Sequence, residues 1–134
     1  MRSTIAREPA WVTYEQVIAM HSRQLRRFGG APGLLDKAML LSALQHPVYQ
    51  WQHGQVDMAR PAAGYAFGLA KNRAFVDGNE RIAFMTMMVF LRRNGIEFSP
   101  NPAHATSIVM SLAAGEVSED SLTRWIGDNW PEDV

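Results

Sequence analysis

The chain has 134 residues, 47% apolar and 19% charged, with basic and acidic side chains balanced at a formal net charge of zero. That suffices for one domain with one real core, and the balance gives no basis for direct nucleic-acid binding or for attraction to an anionic membrane. No run approaches ~18 consecutive apolar residues, so no membrane-spanning helix is expected; the absence of cysteine excludes disulfides and thiol chemistry and agrees with a cytoplasmic location.

Residues 1–12, "MRSTIAREPAWV", carry no apolar signal core and read as an N-terminal extension to a single domain over 13–130. Thr13 and Gln16 form a capping box, and Val17, Ile18 and Leu25 follow at helical spacing until Gly29 and Gly30 stop the helix. "APGLLD" is a turn. Asp36 caps a second helix, "KAMLLSALQH", which Pro47 is expected to end. "PVYQWQHGQVD" then reads as a polar, aromatic connection. Pro61 suits a first helical turn, and "AAGYAFGLAKN" is small and apolar, fit for close packing. After a polar loop, a helix is predicted over about 79–94, apolar on nearly every face from 82 to 91 with Thr86 as the interruption, and stopped by Gly95. Two further helices are predicted over about 102–114 and 119–129, with Gly115 between them and Ser118 as a cap. "IEFS" and "PVYQWQ" are the two short strand candidates. Six helices with short links predict an all-α orthogonal bundle around the central buried helix 79–94.

The loop "FVDGNERIA" holds the candidate chemistry. Gly78 permits unusual backbone angles. Free N–H groups from Asn79 onward, with the helix dipole, make an anion site. Arg81 can grip phosphate with two parallel donors. Asp77 can hold Mg²⁺ or orient a hydroxyl, and Asn79 can brace the loop or touch phosphate. These parts suit phosphoryl chemistry, in which positioning and charge stabilisation do most of the work. The plainer reading is that Asp-Gly-Asn is turn chemistry, Asp77 a helix cap and Arg81 a solvated first-turn residue. Elsewhere, Met85, Met87 and Met88 read as core filling. The histidines at 21, 46, 53 and 104 lack metal-ligand spacing, although His53, near Trp51, is a candidate to face a site. Arg92 and Arg93 suit a helix C-terminus, and Trp125 and Trp130 suit core packing.

Three blocks, "GGAPGLLDKAMLLSALQHP", "AAGYAFGLAKNRAFVDGNERIAFMTMMVFLRRNGIEF" and "SLAAGEVSEDSLTRWI", resemble the Fic/Doc family, most of all its compact death-on-curing branch. The resemblance covers about residues 14–127. It implies the all-α Fic/Doc bundle and transfer of a phosphate or nucleotidyl group from ATP or another nucleotide, with Mg²⁺, to a hydroxyl of a target protein. Members of that branch are toxins that act on a translation factor. They pair with a small antitoxin protein whose C-terminal segment folds into a groove beside the site. The family motif reads roughly His-x-Phe-x-Asp/Glu-Gly/Ala-Asn-Lys/Gly-Arg. Phe75, Asp77, Gly78, Asn79 and Arg81 match it. By the resemblance, Phe75 anchors the loop, Asp77 binds metal or aids the acceptor, Asn79 holds the loop or phosphate, and Arg81 binds phosphate.

Two positions depart. The family histidine falls on Arg73 and the Lys/Gly on Glu80. Arginine stays protonated and has no acceptor lone pair, so it cannot take the proton of an incoming hydroxyl; losing such a base typically costs ~10²–10⁴ in rate. Glu80 sets a carboxylate beside the anion site, where like charge at ~4 Å costs on the order of 1–4 kcal/mol. Three readings stay open: a silent relative that binds an antitoxin-like peptide or nucleotide, an inactivated toxin, or altered chemistry with Asp77 and Glu80 on one Mg²⁺. Arg73 and Glu80 are also expected to pair. The inhibitory pattern Ser/Thr-x-x-x-Glu-Gly/Asn of some family members is not matched; "TIARE" at 4–8 comes nearest but is followed by Pro9.

Overall fold

The protein is represented by a computed structural model that describes residues 8–54 and 57–132. Residues 1–7 of the expected extension, and with them most of "TIARE", lie outside the described residues, as do 55 and 56 of the connection. Six helices follow in order: α1 Tyr14–Phe28, α2 Lys37–Gln52, α3 Ala59–Asn72, α4 Asn79–Arg93, α5 Pro102–Ala113 and α6 Glu119–Asp128. No strand is assigned among the described residues; Leu34 and Phe75 form an isolated antiparallel bridge. The all-α bundle expected from the sequence is therefore the observed architecture.

Local chemistry sets most of the helix ends. Thr13 accepts from the Gln16 N–H while the Gln16 side chain takes the Thr13 N–H, closing the predicted capping box. Asp36 and Ser118 cap α2 and α6 as expected, and Gly95 and Gly115 follow α4 and α5 at positive φ. Pro61 sits in the first turn of α3, where a missing N–H costs no helical bond.

Pro47 does not end α2, and neither strand candidate is a strand. The helix runs through Pro47 to Gln52, so "PVYQWQ" is helical, while "IEFS" is irregular. The reason is tertiary. Pro47 is fully buried against α3 at Gly64, where an added Cβ would lie 3.5 Å from the proline ring. Gly68 meets Ala43 of α2 as closely, with an added Cβ 3.5 Å from its Cα and carbonyl oxygen. Burial against the small residues of α3 offsets the helical bond that proline removes.

The helix α3 packs on α2, α4, α5 and α6, and α4 packs on α1, α3 and α5. The core joins Leu40, Tyr65, Leu69, Ile82, Met87, Phe90, Leu91, Leu122 and Ile126. One face of α4 stays open: Met87 is core, whereas Phe84, Met85 and Met88 are half-buried. Trp125 meets Phe98 edge-on and Trp130 lies against the core. The segment before α1 is also docked, with Pro9 and Val12 buried. The Tyr65 hydroxyl accepts the Val12 N–H at 2.9 Å and lies 3.3 Å from the Val12 carbonyl oxygen, to which it donates. Burial pushes that phenol up to about 12.

Candidate functional site

The loop between α3 and α4 is tied to the turn after α1 by backbone pairing. Leu35 and Asp36 donate to the Ala74 carbonyl, and Val76 donates to that of Gly33. Phe75 enters the core, 3% exposed. Asn79, 1% exposed, closes the loop from within: its Oδ1 accepts the Phe75 N–H at 3.0 Å and its Nδ2 donates to the Phe75 carbonyl at 2.9 Å. Both polar ends of Asn79 are thus used. The side chain braces the loop, the first of its expected roles.

The helix α1 supplies a second brace. His21 is buried and stacks on Phe75 with ring centroids 3.8 Å apart. Its Nε2 lies 2.8 Å from the Asp77 carbonyl oxygen; the carbonyl can only accept, so Nε2 carries the proton. Gln24 donates from Nε2 to the Gly78 carbonyl at 3.2 Å. Gly78 has φ 77° and is the residue before α4. A Cβ there would stand 2.6 Å from the Gln24 amide nitrogen, so glycine is needed for both angle and space.

His21 and Gln24 are the site residues that sequence reasoning missed. A signal for them exists. Val17, Met20, His21 and Gln24 form the buried stripe of α1, and two polar residues on an apolar stripe need buried partners.

Asp77 is not the cap of α4, whose N-terminus has no side-chain cap. Its Oδ1 accepts from the Gly78 N–H at 2.8 Å and its Oδ2 from the Ala31 N–H at 3.3 Å. Gly30 makes room for this, since a Cβ there would be 3.0 Å from Asp77 Oδ2. The first intrahelical bond of α4 runs from Ile82 to Gly78, which leaves the N–H groups of Asn79, Glu80 and Arg81 outside the helical ladder. A cavity of about 490 Å³ lies at this helix start, with walls that include Gln24, Gly30, Asp77, Gly78, Glu80 and Arg81.

The charged groups are arranged unevenly. Arg81 is exposed, with its guanidinium 4.3 Å over the Phe28 ring; Arg27 lies 5.4 Å over the same ring. Glu80 is bonded to Arg73, as the sequence suggested. Arg73 itself has φ 46° and ψ 52° as the residue that ends α3. Among the described residues it is the single non-glycine at positive φ. Next to this cavity, and sharing Phe28, Arg81, Val109 and Met110 with it, lies an apolar one of about 500 Å³ lined also by Phe84, Met85 and Met88. Two of the three methionines expected to fill the core thus face an open groove, because α5 covers α4 incompletely.

His53 is not part of the site. It ends α2, with Nδ1 bonded to the Tyr49 carbonyl and its ring stacked on Tyr49. It lines none of the cavities around the loop.

Residues 11–91, which include the whole loop, match the family model of the Fic/DOC family. The chain belongs to the Fic/Doc family. It is also similar to a protein named protein kinase doc, from Escherichia phage P1, with 29% identity over 112 residues that span 83% of this chain and 88% of that protein. The matched region of this Fic/Doc chain takes in α1 to α3, the loop and most of α4.

Among the described residues no helix is long and apolar enough to cross a membrane, and no group of three or more His, Cys, Asp or Glu side chains is placed to hold a metal ion. Asp77 fits Mg²⁺ in a narrower way. Magnesium is commonly held by one or two carboxylates together with the phosphates of a substrate, and the Asp77 carboxylate lies on the cavity wall beside the α4 N-terminus. Glu80, already bonded to Arg73, fits a shared metal poorly.

Proposed function

We propose that the chain is a toxin-type Fic/Doc protein of a toxin–antitoxin pair whose loop retains a nucleotide phosphate site and whose transfer step is impaired. The observation that carries this is the bond between Arg73 and Glu80, at the two positions where the family motif has His and Lys/Gly. The loop frame fits a phosphate: Gly78 turns the chain, Asn79 braces it, three first-turn N–H groups have no helical partner, and Arg81 lines the cavity. Asp77 would hold Mg²⁺ together with the phosphates of ATP or another nucleotide. When bound, the ion supplies charge neutralisation during transfer.

What the frame lacks is a base. Arg73 cannot accept a proton. The neighbouring imidazole, His21, is buried and stacked, with Nε2 committed to the Asp77 carbonyl, so it does not reach an incoming hydroxyl. The name of the phage relative favours phosphate over nucleotidyl transfer as the ancestral reaction, and a translation factor is the target class implied by the resemblance. The partner reading is a small antitoxin protein whose segment occupies the apolar groove of Phe28, Phe84, Met85, Met88 and Met110. The runner-up is a binding module without catalysis that engages such a peptide or a nucleotide; the same groove and the missing base favour it.

The test is reversion. Induced expression of the Arg73→His/Glu80→Lys double variant is expected to arrest growth and to label a lysate protein from labelled ATP, while the parent does neither. A folded double variant that neither arrests growth nor labels anything would leave the binding module as the better reading.

A further inference from the structure

We propose that Arg73 and Glu80 form one charge-quenching unit. In it the Arg73 guanidinium neutralises the carboxylate that stands beside the α4 N-terminus, so that the loop still admits the phosphates of a nucleoside polyphosphate. The inference rests on the phosphate-loop reading above and names what controls that site.

Three observations carry it. First, Glu80 is the second residue of α4, lines the cavity of the loop and is 23% exposed. An unpaired carboxylate there would oppose an incoming phosphate by like charge. Secondly, Arg73 does not line that cavity. It borders a different one, of about 380 Å³, with Phe67, Lys71 and Leu112. The guanidinium therefore meets Glu80 without taking up space in the phosphate cavity, and its single side-chain partner among the described residues is Glu80. Thirdly, Arg73 holds a left-handed backbone that glycine or asparagine adopts more readily. The cavity also carries a sign of a ligand independent of charge: Gln24 is 2% exposed, and its Oε1 has no hydrogen-bond partner among the described residues. Such an acceptor on a cavity wall calls for a donor, which a nucleotide carries on its sugar hydroxyls or base amine and not on its phosphates.

The pairing gives the single substitutions opposite signs. Glu80→Gln removes the carboxylate and leaves a free guanidinium behind the loop, so phosphate binding tightens. Arg73→Gln leaves the carboxylate bare, so binding weakens. The double substitution removes both charges and falls near the parent.

The experiment is titration calorimetry of ATP into the parent, Glu80→Gln, Arg73→Gln and the double variant, with and without Mg²⁺, each checked by its melting curve for folding. Without Mg²⁺, Glu80→Gln is expected to tighten ATP binding by about tenfold, Arg73→Gln to weaken it by about tenfold, and the double variant to stay within about threefold of the parent. Both single effects are expected to shrink at high salt. Equal affinities across all four folded proteins, or a tightening by Arg73→Gln, would overturn the quenching unit and leave the phosphate loop standing. A weakening by Glu80→Gln seen only with Mg²⁺ would also overturn it, by making Glu80 a metal ligand. No ATP binding by any folded member would overturn both this inference and the phosphate-loop reading.

Discussion

The loop between α3 and α4 has an inner and an outer face, and the two are built on different terms. The inner face is buried and bonded in detail: Phe75 in the core, Asn79 on both polar atoms of Phe75, His21 on the Asp77 carbonyl, Gln24 on that of Gly78. The outer face is charged and more open, with Arg73 and Glu80 on each other and Arg81 over Phe28. Buried polar groups cannot change singly without stranding a partner, whereas exposed charges trade places at low cost. A fold built in this way can keep its frame while its exposed charges change.

Four measurements would break or sharpen this contrast. The largest effect is expected at Asn79. Asn79→Ala strands the N–H and carbonyl of Phe75 in a buried loop, a loss of about 2–4 kcal/mol that lowers Tm on the order of 10 °C. A loss under about 0.5 kcal/mol would mean the inner face is not the rigid one.

The second concerns Tyr65, far along the same buried frame. Its phenol is raised from 10.0 to about 12, so the folded state holds its proton more tightly than the unfolded chain. That contribution is complete below pH 10 and is lost as pH rises through 12, about 2–3 kcal/mol in all. Denaturant unfolding across this window should show a decline that Tyr65→Phe lacks; parallel curves for the two proteins would refute the assignment.

Third, Gly78→Ala sets a Cβ 2.6 Å from the Gln24 amide and strains a left-handed turn, a loss of about 1–3 kcal/mol readable as a lower denaturant midpoint. The smallest effect is expected outside. Arg73→Gln breaks a pair whose arginine is 57% exposed and also relieves no left-handed strain, so stability should change by under about 1 kcal/mol. If it instead rivals Asn79→Ala, the two faces do not differ as described.

Much of the frame was legible in the residues themselves. Thr13 with Gln16, Asp36 and Ser118 marked helix starts, because capping is a contact between near neighbours in the chain. Gly78 and the N-terminus of α4 marked the loop for the same reason. The passage of α2 through Pro47 was not legible, since what overrides the proline is Gly64 and Gly68 of another helix. Nor were the partners of His21 and Gln24, which meet the loop across more than fifty residues of sequence. His53 looked placed for a site because of its neighbours in sequence, and its bonds turned out to be to its own helix.

By itself, then, the amino-acid sequence determined the helical class, most helix ends and the place of the loop, all of which depend on local spacing and residue chemistry. The tertiary structure decided the rest. It carried α2 through Pro47, brought His21 and Gln24 of α1 onto the loop, held the Asp77 carboxylate to the Ala31 N–H, and opened a groove along α4. Those outcomes depend on which surfaces of distant helices meet, and no local pattern encodes that.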